Sequence, residues 1–144
     1  MFTLAVIGAL VAGSFLPARL EQQSGYNVSY GRQAGEAAEA GLADALGTLD
    51  AGALEPLVSG GVALDLGTTT IGEMITVHTT VARLTSRIFV VRSQGTRHNA
   101  SGGELAARTL GLFIRIASAV ASTPEDAAPP AAIQLAERSW MRLD

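Results

Sequence analysis

The 144-residue chain contains no cysteine, which excludes a disulfide framework, a thiolate metal site and a cysteine nucleophile. It also contains no lysine, so its ten basic residues are all arginines. They are scattered against thirteen acids, for a formal charge of −3. Without a basic stripe there is no counterion-release drive toward nucleic acid, and none is expected as a partner. Aromatic residues make up 5% of the chain, too few for a stacking platform or a carbohydrate cleft. Charged residues reach 16% against 48% apolar, where a soluble domain carries about 25% charged. The chain therefore has more to bury than one domain of this length buries alone, and less charge than usual to keep its surface wet.

The shortage is local. From Met1 to Ala18 there is no ionisable side chain, and the polar ones are Thr3 and Ser14. As a helix this stretch would run about 27 Å at 1.5 Å per residue, close to the ~30 Å apolar thickness of a bilayer. A signal peptide would carry a basic region before its apolar run, but the first basic residue is Arg19. A helix apolar all round inside a soluble globule needs more protein around it than the remaining 126 residues readily supply. The third reading, which the composition favours, is a helix held first by lipid and then by copies of itself. Ala5, Ala9 and Gly13 recur every four residues, and Gly8 and Ala12 form a second such pair, a spacing that lets helix backbones approach closely. Pro17 is expected to end or kink this segment, because proline lacks the N–H a helix uses.

Beyond Pro17 the pattern becomes amphipathic. Ala34, Ala38, Leu42, Ala45, Leu46 and Leu49 recur at three- and four-residue intervals, with Arg32, Glu36, Glu39, Asp44 and Asp50 on the remaining surface. Gly25, Gly31 and Gly35 weaken helicity by up to about 1 kcal/mol each relative to alanine, so residues 17–35 are expected to be loosened or partly unwound. Gly47, Gly52 and Glu55-Pro56 close the helical region. Strand patterns follow: Val62, Leu64 and Leu66 alternate, Ile75, Val77, Thr79 and Val81 alternate against Met74, Thr76, His78 and Thr80, and Arg87–Arg92 is a short apolar run. The gap at Leu84–Ser86 suits a hairpin. Residues 93–104 read as a polar glycine-rich loop before a last run through Leu110, Leu112, Ile114 and Ile116. The short connections imply an antiparallel meander.

The expected fold is α+β: a long N-terminal helix, apolar in its first half and amphipathic in its second, packed on an antiparallel sheet of three to four strands. Its parts are residues 1–52 (membrane or filament-core segment 1–18, amphipathic segment 19–52) and 56–144, with a loop at 121–130. The tail 131–144 is an edge strand or short helix. Ala38, Leu42, Leu46 and Leu49 are expected to pack the helix on the sheet.

Catalytic chemistry finds no constellation. His78 falls among threonines and His98 in the polar loop, and Glu36 and Glu39, three apart, have no histidine partner. The pairs Gly60-Gly61 and Gly102-Gly103 lack the Lys-Ser/Thr of a phosphate loop. Neither an enzyme nor a metal or cofactor site is expected. Asn27-Val28-Ser29 and Asn99-Ala100-Ser101 match the glycosylation tripeptide, with Asn99 the better candidate for modification.

The segment Gln33–Leu46, QAGEAAEAGLADAL, resembles the Q-A-x-x-A-A-E-A-G-L-x-x-A-L stretch of PilX-type, type IV pilin-like proteins, and Phe2-Thr3-Leu4 is similar to the F-T-L that follows their prepilin cleavage site. Arg87–Gly95 and Ala107–Leu110 are similar to the sheet region of the same group. The resemblance implies a structural subunit made with a basic leader, held in the inner membrane, trimmed by a prepilin peptidase, methylated at the new N-terminus (here Met1) and stacked by an assembly machine into an extracellular filament of copies of itself. It implies that Met1, Phe2, Leu4, Ala5, Ala9, Gly13 and Pro17 lie in the polymerising helix, and that the chain is the processed form beginning at or near Met1. Most major pilins carry a glutamate at the fifth mature position; here it is Ala5, or Val6 if Phe2 is first. A minor or tip pilin, a pseudopilin of a secretion or uptake system, or a membrane-anchored binding module is the alternative.

Overall fold

The computed structural model describes the backbone of residues 2–117, 131–134 and 140–143, and the side chains of 17–50 and 52–115. Helix α1 runs Phe2–Thr48 and a one-turn helix, α2, spans Ala51–Leu54. The strands are β1 (Leu64–Ile71), β2 (Ile75–Arg83), β3 (Ile88–His98), β4 (Glu104–Ala117), β5 (Ala131–Gln134) and β6 (Trp140–Leu143). Strands β1 to β4 form an antiparallel meander in sequence order, and β5 and β6 each pair antiparallel with β4 at its outer side. The architecture is α+β, with a long helix lying on a four-strand antiparallel sheet that two short strands extend. The tail thus contributes strands, while the loop expected at 121–130 lies outside the described residues.

Three sequence expectations need correction. Residues 17–35 are not unwound: α1 passes through Pro17, Gly25, Gly31 and Gly35 without a break. Proline within a helix removes one hydrogen bond, and glycine costs about 1 kcal/mol; neither stops propagation along a helix already nucleated on both sides. The helix also ends at Thr48, not near residue 52. Asp50 caps α2 through a 3.1 Å bond from the Gly52 N–H to its carboxylate, so the backbone turns there and starts again. Third, residues 93–98 are strand. β3 pairs with β2 from Arg83↔Phe89 to Ile75↔Arg97 and with β4 to His98↔Glu104, leaving a loop of only 99–103. At the other end, β1 begins at Leu64, and Val62 lies in the preceding exposed connection.

The core forms where one face of α1 meets one face of the sheet. Ala34, Ala37, Ala38, Leu42 and Ala45 from the helix bury against Val77, Val81, Phe89, Val91, Leu112 and Ile114, with Leu54 of α2 closing one end. Ala38 and Leu42 are fully buried, and Leu46 and Leu49 are partly buried against the same cluster. Each fully buried leucine or phenylalanine contributes about 1.5–3 kcal/mol. Two glycines set how close the layers come. A Cβ on Gly95 of β3 would collide with the backbone of Ala34 and Ala38, and one on Gly41 would collide with Ser93 and Val77. Beneath Gly41, the buried hydroxyls of Thr79 and Ser93 bond to each other at 3.4 Å.

Candidate functional site

Among the described side chains, helix α1 buries against the sheet along its later turns. Every residue from Pro17 to Ser29 is exposed, including Leu20, Tyr26 and Val28, the last at 71%. Those thirteen residues cover about 20 Å of axis. Within them Tyr26 stacks on Tyr30 with ring centroids 6.2 Å apart, and Gln22 Nε2 donates to the Tyr26 hydroxyl at 3.3 Å. These are contacts of the helix with itself at the i, i+4 spacing. The first hold from the sheet comes at Gly31, where a Cβ would stand 3.2 Å from the Arg108 guanidinium. One turn farther, Arg32 Nε and Glu36 Oε1 pair at 2.8 Å on the exposed side, an ion pair that contributes at most about 0.5 kcal/mol.

A helix of 47 residues is far longer than the sheet needs. Globular helices average about 11–12 residues, and the part of α1 packed here, from Gly31 to Thr48, already exceeds that. Phe2, Leu4, Ala5, Ala9 and Gly13 lie on this continuous helix, and their side chains, like Met1, fall outside the described residues. Pro17 is within the helix and exposed. Among the described residues, no helical stretch is long and apolar enough to cross a membrane.

Some titratable groups lie on the face of the sheet away from α1 and in its loops, whereas Arg108 reaches the helix at Gly31. His78 Nε2 lies 3.0 Å from Asp65 Oδ1. The Gly67 N–H donates to the same carboxylate oxygen at 2.8 Å, and this bond, followed by the one from His78, holds the Asp65 carboxyl below the usual aspartate range. His98 Nε2 is 2.9 Å from the Thr76 hydroxyl, so it closes the end of β3 instead of standing in a loop. Asn99 Oδ1 accepts from the Ser101 and Gly103 N–H groups and the Ser101 hydroxyl at 2.7–3.0 Å, which folds the 99–103 turn. Among the described residues, no three His, Asp or Glu side chains gather as metal ligands.

Sequence spacing located the helix–sheet interface but not Gly41 and Gly95, whose role depends on a layer contact no single strand reveals. No family model, curated protein or solved structure matches the chain. The architecture itself, a long N-terminal helix packed on a four-strand antiparallel sheet, is pilin-like.

Proposed function

We propose that the chain is a structural subunit of a type IV pilus-like extracellular filament, polymerising through its N-terminal helix. The observation that carries this reading is a continuous helix whose residues 17–29 are all exposed and whose preceding turns, 2–16, carry no ionisable side chain. A helical surface of that composition is stable in lipid or against other such helices, and not in water. The sequence likeness at Gln33–Leu46 and Phe2-Thr3-Leu4 supports the same reading. So does the place of the first segment in the fold, because Ala34, Ala37, Ala38, Leu42 and Ala45 are the residues that seat the helix.

In this reading the chain waits in the inner membrane, is processed by a prepilin peptidase, and is stacked so that neighbouring apolar helices replace lipid. The sheet then faces outward at the cell surface. No catalytic step or cofactor is involved. Electron microscopy of material sheared from cells, with antibody against the sheet domain, tests the proposal. Fibres labelled along their length are expected. Label at fibre tips alone would make the chain a minor subunit, and label only in the membrane fraction would overturn polymerisation.

A further inference from the structure

Two close approaches fix which end of the sheet the early turns of α1 leave from. Gly41 lies over Ser93 and Val77, and Gly95 lies under the turn from Ala34 to Ala38. Two residues of β3, about 7 Å, therefore match about five residues of α1, also about 7 Å, so α1 and β3 run side by side in opposite directions. Strand β3 continues past Gly95 to His98 before the 99–103 turn, and the tip of that turn stands roughly 15 Å beyond Gly95. The same distance along α1 is about ten residues, which brings the tip level with the neighbourhood of Gly25. The Gly72-Glu73 turn between β1 and β2 lies at the same end, since Ile75 pairs with Arg97.

The uncharged stretch of the helix ends at Ala18, about 10 Å along the axis from Gly25. A bilayer's headgroup layer is about 5–8 Å deep on each side of its ~30 Å core, and membrane helices tilt by about 20° on average. A lean of that size toward the sheet lowers turns about 10 Å off the helix axis by about 3 Å, which sets both of them in the headgroup layer. The side chains at this level suit that place. Tyr26, stacked on Tyr30, is exposed, and tyrosine favours the boundary between lipid and water because its ring is apolar and its hydroxyl polar. Ile71 and Leu105 are exposed beside the two turns. Charge here is of both signs, Arg19 and Arg97 with Glu21, Glu73 and Glu104, so it selects no anionic lipid.

We propose that the Gly72-Glu73 and 99–103 turns, together with Tyr26, rest in the headgroup layer of a lipid bilayer while α1 is anchored there, so that the sheet domain is held against the membrane surface before assembly. The proposal rests on the membrane stage of the filament reading. Its driving force is removal of the Ile71, Leu105 and Tyr26 surfaces from water, while the polar backbone of the turns stays hydrated among headgroups. The 99–103 turn meets the surface already folded, because the Asn99 carboxamide oxygen accepts three bonds from Ser101 and Gly103. Since the contact does not depend on net charge, salt does not release it.

The absence of cysteine allows one label at a chosen position. Full-length Ala100→Cys carries a fluorophore in nanodiscs that hold one chain each, made of phosphatidylcholine with a nitroxide on its headgroup. Val62→Cys is the control, an exposed position before β1 at the opposite end of the sheet. Quenching at position 100 several-fold stronger than at 62 is expected, and unchanged when salt or phosphatidylglycerol is added. Equal quenching at the two positions would overturn the proposal, as would quenching at 100 that requires phosphatidylglycerol. Ile71→Ser with Leu105→Ser, both at exposed positions, should lower quenching at 100 several-fold while circular dichroism is retained, and undiminished quenching would refute the apolar contact. A label at Ala9→Cys, read against nitroxides on the acyl chains, separates the two readings. Quenching at 9 without quenching at 100 refutes the contact of the turns alone, whereas no quenching at 9 refutes the membrane stage beneath it.

Discussion

Replacing Gly95 by alanine tests how the helix is seated. Gly95 sits on β3 beneath α1, where the added Cβ would stand 2.7 Å from the Ala38 amide nitrogen and closer still to the Ala34 carbonyl oxygen. Ordinary van der Waals contact begins at 3.4 Å, so the layers must part by at least about 0.7 Å. Backbone atoms lie on both sides, and no side chain can swing away to absorb the change. A gap of 0.5–1 Å forfeits about a quarter to a half of each dispersion contact across it, and the contacts concerned are those of Ala34, Ala38 and Leu42. Overpacking of this kind costs about 1–3 kcal/mol. The strand gains roughly 0.5–1 kcal/mol from losing a glycine, so the net expectation is a loss of up to about 2.5 kcal/mol. At about 2–4 °C per kcal/mol for a chain near 150 residues, Tm should fall by up to roughly 10 °C. The measurement is thermal and urea unfolding of the full chain in mild detergent, followed by circular dichroism. Gly35→Ala is the control: its Cβ meets nothing within 4 Å, and alanine should stabilise the helix by up to about 1 kcal/mol. If Gly95→Ala melts at or above the parent temperature, the glycine is not what sets the layer spacing.

Arg83 donates to the carbonyls of Thr85, Leu57, Ser86 and Glu55 at 2.8–3.3 Å and stacks over Phe89 at 5.6 Å. Arg83→Lys, which cannot reach all four, should cost about 1–3 kcal/mol in urea unfolding, and an unchanged midpoint would contradict this. Asp65 has its carboxyl pKa depressed by Gly67 and His78, so its stabilising effect is full above the unfolded-state pKa and is lost as pH falls through the folded value. Carbon-detected NMR should place its titration below the usual aspartate range, and a midpoint within that range would refute the assigned cause. Leucine at both Ala9 and Gly13 should abolish or thin the fibres while the sheet domain keeps its circular dichroism. Normal fibres from that variant would rule out close helix packing at these positions.

The half of the fold built on periodicity was legible in the residues. Ala34 through Leu49 repeat at the helical interval because that face must meet the sheet, and Val77, Val81 and Phe89 to Val91 show the matching strand composition. What composition concealed were segments where contact replaces side-chain preference. Ser93-Gln94-Gly95-Thr96 resembles a loop in isolation, yet Ser93 and Gly95 are the residues small enough to lie under the helix. Pro17 and the three glycines read as interruptions because single-residue propensity ignores the turns on either side. The β1 edge was legible only as a vague alternation at Val62–Leu66, since an exposed strand has no core pattern to display.

The meeting of Gly95 with the helix backbone also has a mechanical meaning. Interdigitated side chains can change rotamer under load and let one layer creep past another. The turn from Ala34 to Ala38 rests instead on bare main chain, with Gly41 seated over Val77 and Ser93 less than two turns along. A pull along the helix axis is therefore opposed by covalent backbone on both sides. The sheet is carried by the helix as a flange is carried by a keyed shaft, and axial tension reaches it without first being spent on rearranging the core.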